Sequence, residues 1–350
     1  MKQTRTLDWR VVLPVATASL IGACWIQPAS AADSTAAAVS PDVVAQQNWS
    51  QFMTRNPASE PGCFHASYPN YLWEKTTCGT LAAPRVHPVR RQPAAGGAGE
   101  IVGNGNDFVA STTGLISSTL GTFPTVTGVT SEKSVGVAAF GGGGILGPNE
   151  YTLQINTNFT GTTSTCAGHS GCTVWQQFIY SPDYNVNGQA AVFMQYWLIG
   201  WGSSACPRNW MSAGGGDCFR NSNFVTAPDL PITSLGRETL SGTVVSGGND
   251  TVVFNSGTQA YSVSGSDSVV HIATVWKQSE FNVVGNAGGS RAQFNSGSHV
   301  TVKIALTDGS TAAPSCVAGA GSTGETNNLT LGACTTASGT NPSVQFTESN

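Results

Sequence analysis

Charge is what this chain has least of. Its 350 residues include 15 Lys and Arg and 19 Asp and Glu, a tenth of the sequence, against roughly a quarter in an ordinary globular protein. Such a surface must be wetted by Ser, Thr, Asn, Gln and Gly. The formal net charge of −4 excludes a binder of phosphate backbones, which needs a concentrated basic face. No nucleic-acid partner is therefore expected. Long hydrophobic runs are also missing: the best candidate, Val11–Ile26, is broken by Pro14 and falls short of the roughly 20 residues that span a bilayer. Cysteines and histidines do not cluster at zinc-ligand spacing, and Gly141–Gly144 lacks the following Lys-Ser/Thr of a phosphate loop. No metal and no cofactor is expected. The 42 glycines have no three-residue period, which excludes collagen, and 9% aromatic residues argue against wholesale disorder.

What is present begins with an export signal. Lys2, Arg5 and Arg10 precede the apolar stretch, and Ala29-Ser30-Ala31 supplies a small-residue cleavage pattern, so residues 1–31 read as a signal peptide. The alternative is a lipid anchor at Cys24, because Ile21-Gly22-Ala23-Cys24 resembles a bacterial lipobox. With Cys24 removed, eight of the nine cysteines remain, in four neighbouring couples. Adjacent pairing gives Cys63–Cys78, Cys166–Cys172, Cys206–Cys218 and Cys316–Cys334, one of the 105 pairings that eight cysteines allow. Oxidised cysteines place the mature chain outside the cytosol, secreted or periplasmic.

The mature chain divides near residue 100. In the segment 32–100, Ser40 and Pro41 predict the start of a short helix running through Trp49 and Phe52 to Arg55. The densest positive run, Arg85–Pro93, leads into a flexible linker at Ala94–Gly99. The run reads either as a solvated linker or as part of a propeptide whose cations pair with a polar cleft. The remainder of the segment is expected to be mostly irregular.

From residue 101 to 350 the pattern is strand, turn, strand. Leu240–Val245, Gly247-Gly248-Asn249-Asp250 and Thr251–Phe254 spell a hairpin. Tyr261–Ser264, Val269–Trp276, Glu280–Val284, Ala292–Asn295 and Val300–Leu306 continue at spacings near ten residues. No apolar stripe of three helical turns interrupts them. The expected fold is all-β: two packed antiparallel sheets, a sandwich of jelly-roll or concanavalin-like form.

Strand alternation then selects candidate residues. In Cys172–Tyr180, Trp175, Gln177 and Ile179 share one face, and Val174, Gln176, Phe178 and Tyr180 share the other. In Ala191–Leu198, Phe193, Gln195 and Trp197 share a face. Joined as a hairpin, the two strands put Gln177 and Gln195 on one aromatic-lined surface. Glu280 is a carboxylate inside an otherwise apolar strand, whereas Asp183, Asp217, Asp250, Asp267, Asp308 and Glu325 read as loop residues. Partial burial disfavours a carboxylate's charge and raises its pKa toward the range useful for acid–base catalysis.

The succession Trp175-Gln176-Gln177, Phe193-Met194-Gln195-Tyr196-Trp197, Ser279-Glu280-Phe281-Asn282-Val283 and Ala292-Gln293-Phe294 resembles the glutamic peptidases called eqolisins. More loosely, the stretch from Tyr196-Trp197 to Cys206 and Cys218 is similar to the neprosin-type glutamic peptidases. The resemblance covers about residues 105–310 and implies a two-sheet sandwich with a metal-free endopeptidase site. Glu280 matches the family's catalytic Glu, and Gln177 or Gln176 matches its Gln, since the motif aligns on either. Gln195 stands where eqolisins often carry an accessory Glu, and Asn282-Val283-Val284-Gly285 replaces their further acids. Trp175, Phe193, Gln195 and Trp197 would line the substrate. Two classes of partner follow: a polypeptide cleaved at acid pH, or a glycan or other polymer held without cleavage on Trp175, Tyr196 and Trp197.

Overall fold

A computed structural model of the chain describes residues 40–81, 107–138, 142–159 and 161–350. The signal segment with Cys24, the basic run Arg85–Pro93 and the linker Ala94–Gly99 lie outside the described residues. Among those described, no helix is long and apolar enough to cross a membrane.

Two large antiparallel sheets pack face to face, as the alternation requires. One runs in the spatial order Glu74–Thr76, Gly62–Ser67, Gln259–Ser266, Asn249–Asn255, Thr239–Thr243, Ser118–Thr127, His299–Thr307, Ser343–Ser349, Thr330–Ala337. The other runs Met211–Gly214, Asp217–Pro228, Gln189–Ile199, Thr173–Val186, Tyr151–Thr157, Gln278–Gly285, Phe108–Ser111, Ser315–Ala318. A small third sheet joins Ser290–Phe294 and Glu132–Gly136 to Thr326–Asn327 and Gly147–Pro148.

Between the large sheets the inward residues of each strand interdigitate. Tyr180 stacks on Phe254 with ring centroids 3.9 Å apart, and Phe281 meets Phe123 at 5.0 Å. Two glycines make room for these rings. A Cβ on Gly121 would lie 2.2 Å from the Phe281 ring, and one on Gly242 would lie 2.6 Å from Phe178. Both are requirements of close approach rather than of backbone angle.

The predicted helix is present as Pro41–Arg55, burying Trp49 and Met53 against Ala66 and Ala260. The segment that carries it is less irregular than its composition implied. Gly62–Ser67 extends one large sheet beside Gln259–Ser266, and Gly79–Thr80 pairs with Asp217–Pro228 of the other. Residues 41–81 therefore belong to the same compact unit as the rest of the described chain. The hairpin Thr239–Thr243 to Asn249–Asn255 forms as read.

One expected strand does not form. Val269–Trp276 coils into two short 3-10 turns, Asp267–Val269 and Ile272–Thr274, separated by His271 at φ 55°. Asp267 drives this departure: its carboxylate accepts from the backbone N–H of Gly247 and of Ala273, 3.2 and 3.3 Å away. Those bonds hold the segment in turns while Val270, Ile272 and Trp276 still reach the core.

The four disulfides Cys63–Cys78, Cys166–Cys172, Cys206–Cys218 and Cys316–Cys334 join the neighbouring couples. Bonds of this kind persist in oxidising compartments. Cys316–Cys334 also links the edge strand Ser315–Ala318 of one sheet to Thr330–Ala337 of the other.

Candidate functional site

The outward face of the second sheet carries the candidate residues. Phe281 and Phe178 point inward to the opposing sheet, so alternation turns Glu280, Gln177 and their row outward. The register aligns Glu280 with Asn156, Asn156 with Gln177, Gln177 with Gln195, and Gln195 with Asn221. One polar row thus crosses five strands. On one side of it lie Trp175, Trp197 and Phe219, which share a register row; on the other lie Ile179 and Phe193.

Amide hydrogen bonds run along the row. Gln177 Nε2 donates to Asn156 Oδ1 at 2.8 Å and to Gln154 Oε1 at 3.1 Å. Trp197 Nε1 donates to Gln195 Oε1 at 2.9 Å and reaches Gln177 Oε1 at 3.2 Å. Gln195 Nε2 donates to Asn221 Oδ1 at 2.7 Å. These contacts fix which way each amide faces and give the row a chain of aligned dipoles.

A short strap, residues 320–325, lies across the face. Glu280 Oε2 accepts the main-chain N–H of Ser322 at 2.7 Å and of Thr323 at 3.3 Å. Thr323 Oγ1 lies 2.7 Å from Gln154 Oε1 and also touches Glu325 Oε2. Openings remain on both sides. A cavity of about 180 Å³ is lined by Glu280, Asn156, Asn158, Phe159, Gln278 and Ser322. A second, about 20 Å³, is bounded by Gln177, Gln154, Gln195, Phe193, Tyr184 and Glu325 and has room for about one water.

The carboxyl groups around the site are buried together. Asp107 is fully buried, and its carboxyl lies against that of Glu280. Burial, and then the charge of Glu280, push the Asp107 pKa well above the usual carboxylate range. Burial also raises Glu325, against the pull of hydrogen bonds from Thr323 and Gln154. Glu348, reached by the Asn282 amide at 3.3 Å, is pushed up to about 8 by burial. Among the described residues no group of three or more His, Cys, Asp or Glu side chains is placed to hold a metal ion.

The candidates separate cleanly. Glu280, Gln177, Gln195, Trp175, Phe193 and Trp197 share the outward face. Gln176 does not: it points between the sheets, where its Nε2 lies 3.8 Å from Met194 Sδ. Successive residues of a strand take opposite faces, so Gln176 and Gln177 could never both serve. The aromatic candidates are lined up but covered. Trp175 and Trp197 are each 1% exposed, packed with Phe219, Phe159 and Met211. Phe193 is likewise buried, among Ile179, Phe224, Leu81 and Tyr184. They form the floor of the face rather than open platforms, and Tyr196 faces the core. Asp250, Asp267 and Glu325, expected in loops, are buried.

Asp107, Asn156, Gln154 and the strap were missed. The alternation Tyr151-Thr152-Leu153-Gln154-Ile155-Asn156 carries the signal for two of them, with its polar residues all on one face. Asp107 directly precedes the apolar run Phe108-Val109-Ala110, the position of an acid at a strand's mouth. The strap, far along the chain from Glu280, left no local pattern. No protein-family model matches the chain, and no curated protein matches it in sequence.

Proposed function

We propose that this chain is an exported glutamic-type endopeptidase that cleaves extended polypeptide at acid pH. The reading is carried by one observation: Glu280 and Gln177 occupy the same register row on one face, with a single strand between them. In this reading Glu280 takes a proton from water, and the water oxygen attacks a peptide carbonyl. The Gln177 amide turns from its neighbours to donate to the developing oxyanion, and protonated Glu280 then protonates the leaving nitrogen. The resemblance to eqolisins assigns these two residues the same roles.

The strap supports a peptide rather than a sugar as ligand. It already lies on the face, and it gives Glu280 two main-chain N–H groups. A substrate strand displacing it would offer donors of the same kind. A glycan would need uncovered rings, and Trp175 and Trp197 are covered.

The test is incubation of the signal-free, oxidised protein with a denatured polypeptide between pH 3 and 7. Internal cleavage that survives pepstatin and chelators is expected, strongest in acid. Glycan retention with no cleavage at any pH, by protein shown to carry its four disulfides, refutes the assignment.

A further inference from the structure

We infer that Asp107 and Glu280 act as one acid–base unit, a carboxyl pair that holds a single proton, in which Asp107 positions Glu280. The catalytic meaning of the pair rests on the peptidase reading; its existence does not.

The backbone places the two side chains together. Phe108–Ser111 pairs with only the first residues of the Glu280 strand, Ser279 opposite Ala110 and Gln278 opposite Ser111. Continued one step, that register sets Val109 beside Glu280, and Asp107, two residues from Val109, shares its face. Asp107 therefore meets Glu280 on the diagonal, a distance long side chains bridge.

The hydrogen-bond inventory supplies the second observation. Among the described residues, neither oxygen of Asp107 has an N–H or O–H donor from another group, and neither has Glu280 Oε1. Glu280 Oε2, by contrast, holds the two strap N–H groups. Buried carboxyl oxygens left in this state cost free energy, and two adjacent carboxylates cannot both ionise out of water. One proton, carried by Asp107 and given to Glu280 Oε1, removes the charge repulsion and pairs two of these three oxygens. The raised pKa of Asp107 agrees with this placement. The other titratable group acting on Asp107 is Glu348, reaching in from the opposite sheet; Lys277, near Glu280 in sequence, is exposed.

The chemistry balances with no added reactant. In the attack step a water O–H bond breaks, its proton goes to Glu280, the C–O bond forms, and the carbonyl π pair moves to oxygen. The pair then holds two protons. When the C–N bond breaks, Glu280 returns one proton to nitrogen, and the pair is back to one. Asp107 touches no substrate in this scheme; it keeps a donor against Glu280 throughout the cycle.

Two readouts test the inference with Asp107→Asn, which preserves shape and a donor but not the titrating proton, and with Glu280→Gln; near-UV circular dichroism checks their folds. The first is ¹³C NMR of the aspartate carboxyl carbons against pH, which needs no activity. Two wild-type resonances, those of Asp107 and Asp250, should remain in their protonated positions past neutrality; the one that vanishes in Asp107→Asn should titrate at lower pH in Glu280→Gln. If the resonance lost in Asp107→Asn titrates in the ordinary acid range, the pair does not exist.

The second readout is the pH profile of kcat/KM. Asp107→Asn should reduce the rate by about 10²-fold and remove the alkaline limb, which reports loss of the pair's proton. A uniformly lower profile with both limbs unmoved would reduce Asp107 to a packing role and overturn the inference. Wild-type protein that cleaves nothing would defeat the peptidase reading and the catalytic half of this one, leaving the NMR titration to decide whether the proton is shared.

Discussion

Glu280 and Gln177 lie on one face of one sheet with Asn156 between them, and the Asn156 side chain accepts from the Gln177 amide at 2.8 Å. Adjacent strands are spaced about 4.8 Å apart, so the two backbones are roughly 10 Å distant. The two side chains border different cavities, Glu280 the one of about 180 Å³ and Gln177 the one of about 20 Å³, so a substrate that touches both must displace the strap. The row also explains why the neighbouring glutamine is not equivalent.

Gln177→Ala is expected to lower kcat by about 10²–10³-fold, the usual loss for an oxyanion donor, and also to lower the melting temperature, because Gln177 is buried and bonds Asn156, Gln154 and Trp197. Gln176→Leu should spare kcat. It removes a polar group from between the sheets, where Gln176 contacts Met194, so the melting temperature should move while cleavage stays near wild type. Steady-state kinetics and calorimetry on the two variants separate these outcomes.

Acid should stabilise this fold. Burial pushes Glu132, Glu150, Asp250 and Glu348 each up to about 8, helped in the first three by the neighbouring acids Glu150, Asp183 and Asp267 respectively. A carboxyl whose folded pKa exceeds its unfolded value binds more protons when folded. Its contribution is complete below about pH 4 and is lost as pH rises through about 8. The melting temperature should therefore fall steadily from pH 4 to pH 9. A flat or rising curve would mean that these groups ionise without penalty.

Gly121→Val should damage both stability and the site. The new side chain would collide with Phe281, the residue next to Glu280, and overpacking of this kind costs about 1–3 kcal/mol. Urea unfolding gives the loss of stability, and the aspartate carboxyl titration shows whether the Asp107 contact with Glu280 survives.

Opening Cys316–Cys334 by Cys→Ser changes at both positions should cost about 2–5 kcal/mol, because it frees an edge strand of each sheet. Residues 320–325 lie inside the loop that this disulfide closes, so hydrogen exchange at the Ser322 and Thr323 amides should accelerate. Exchange unchanged from wild type would show that the strap is held by its hydrogen bonds to Glu280, Gln154 and Thr157 and not by the disulfide.

The sequence was most legible where the chain alternates. Val174–Tyr180 and Ala191–Leu198 each announced two faces, and the helix at Pro41–Arg55 was marked by its first residue. Adjacent cysteines paired as their spacing suggested. Less visible was anything made by contacts distant in sequence. Asp107 meets Glu280 because Phe108–Ser111 pairs with the start of the Glu280 strand, and no local pattern encodes a pairing so distant in sequence. Val269–Trp276 has the apolar content of a strand but coils because Asp267 takes up nearby backbone donors. Choosing between Gln176 and Gln177 needed one anchor, Phe178 beneath Gly242, to say which face was in.

The most direct test compares wild-type and Glu280→Gln proteins, both folded and oxidised, on one denatured substrate at pH 4. The account predicts internal cleavage by the first and a rate at least about 10²-fold lower for the second, with the same melting profile apart from the altered carboxyl. Equal cleavage by the two proteins would remove Glu280 from the chemistry.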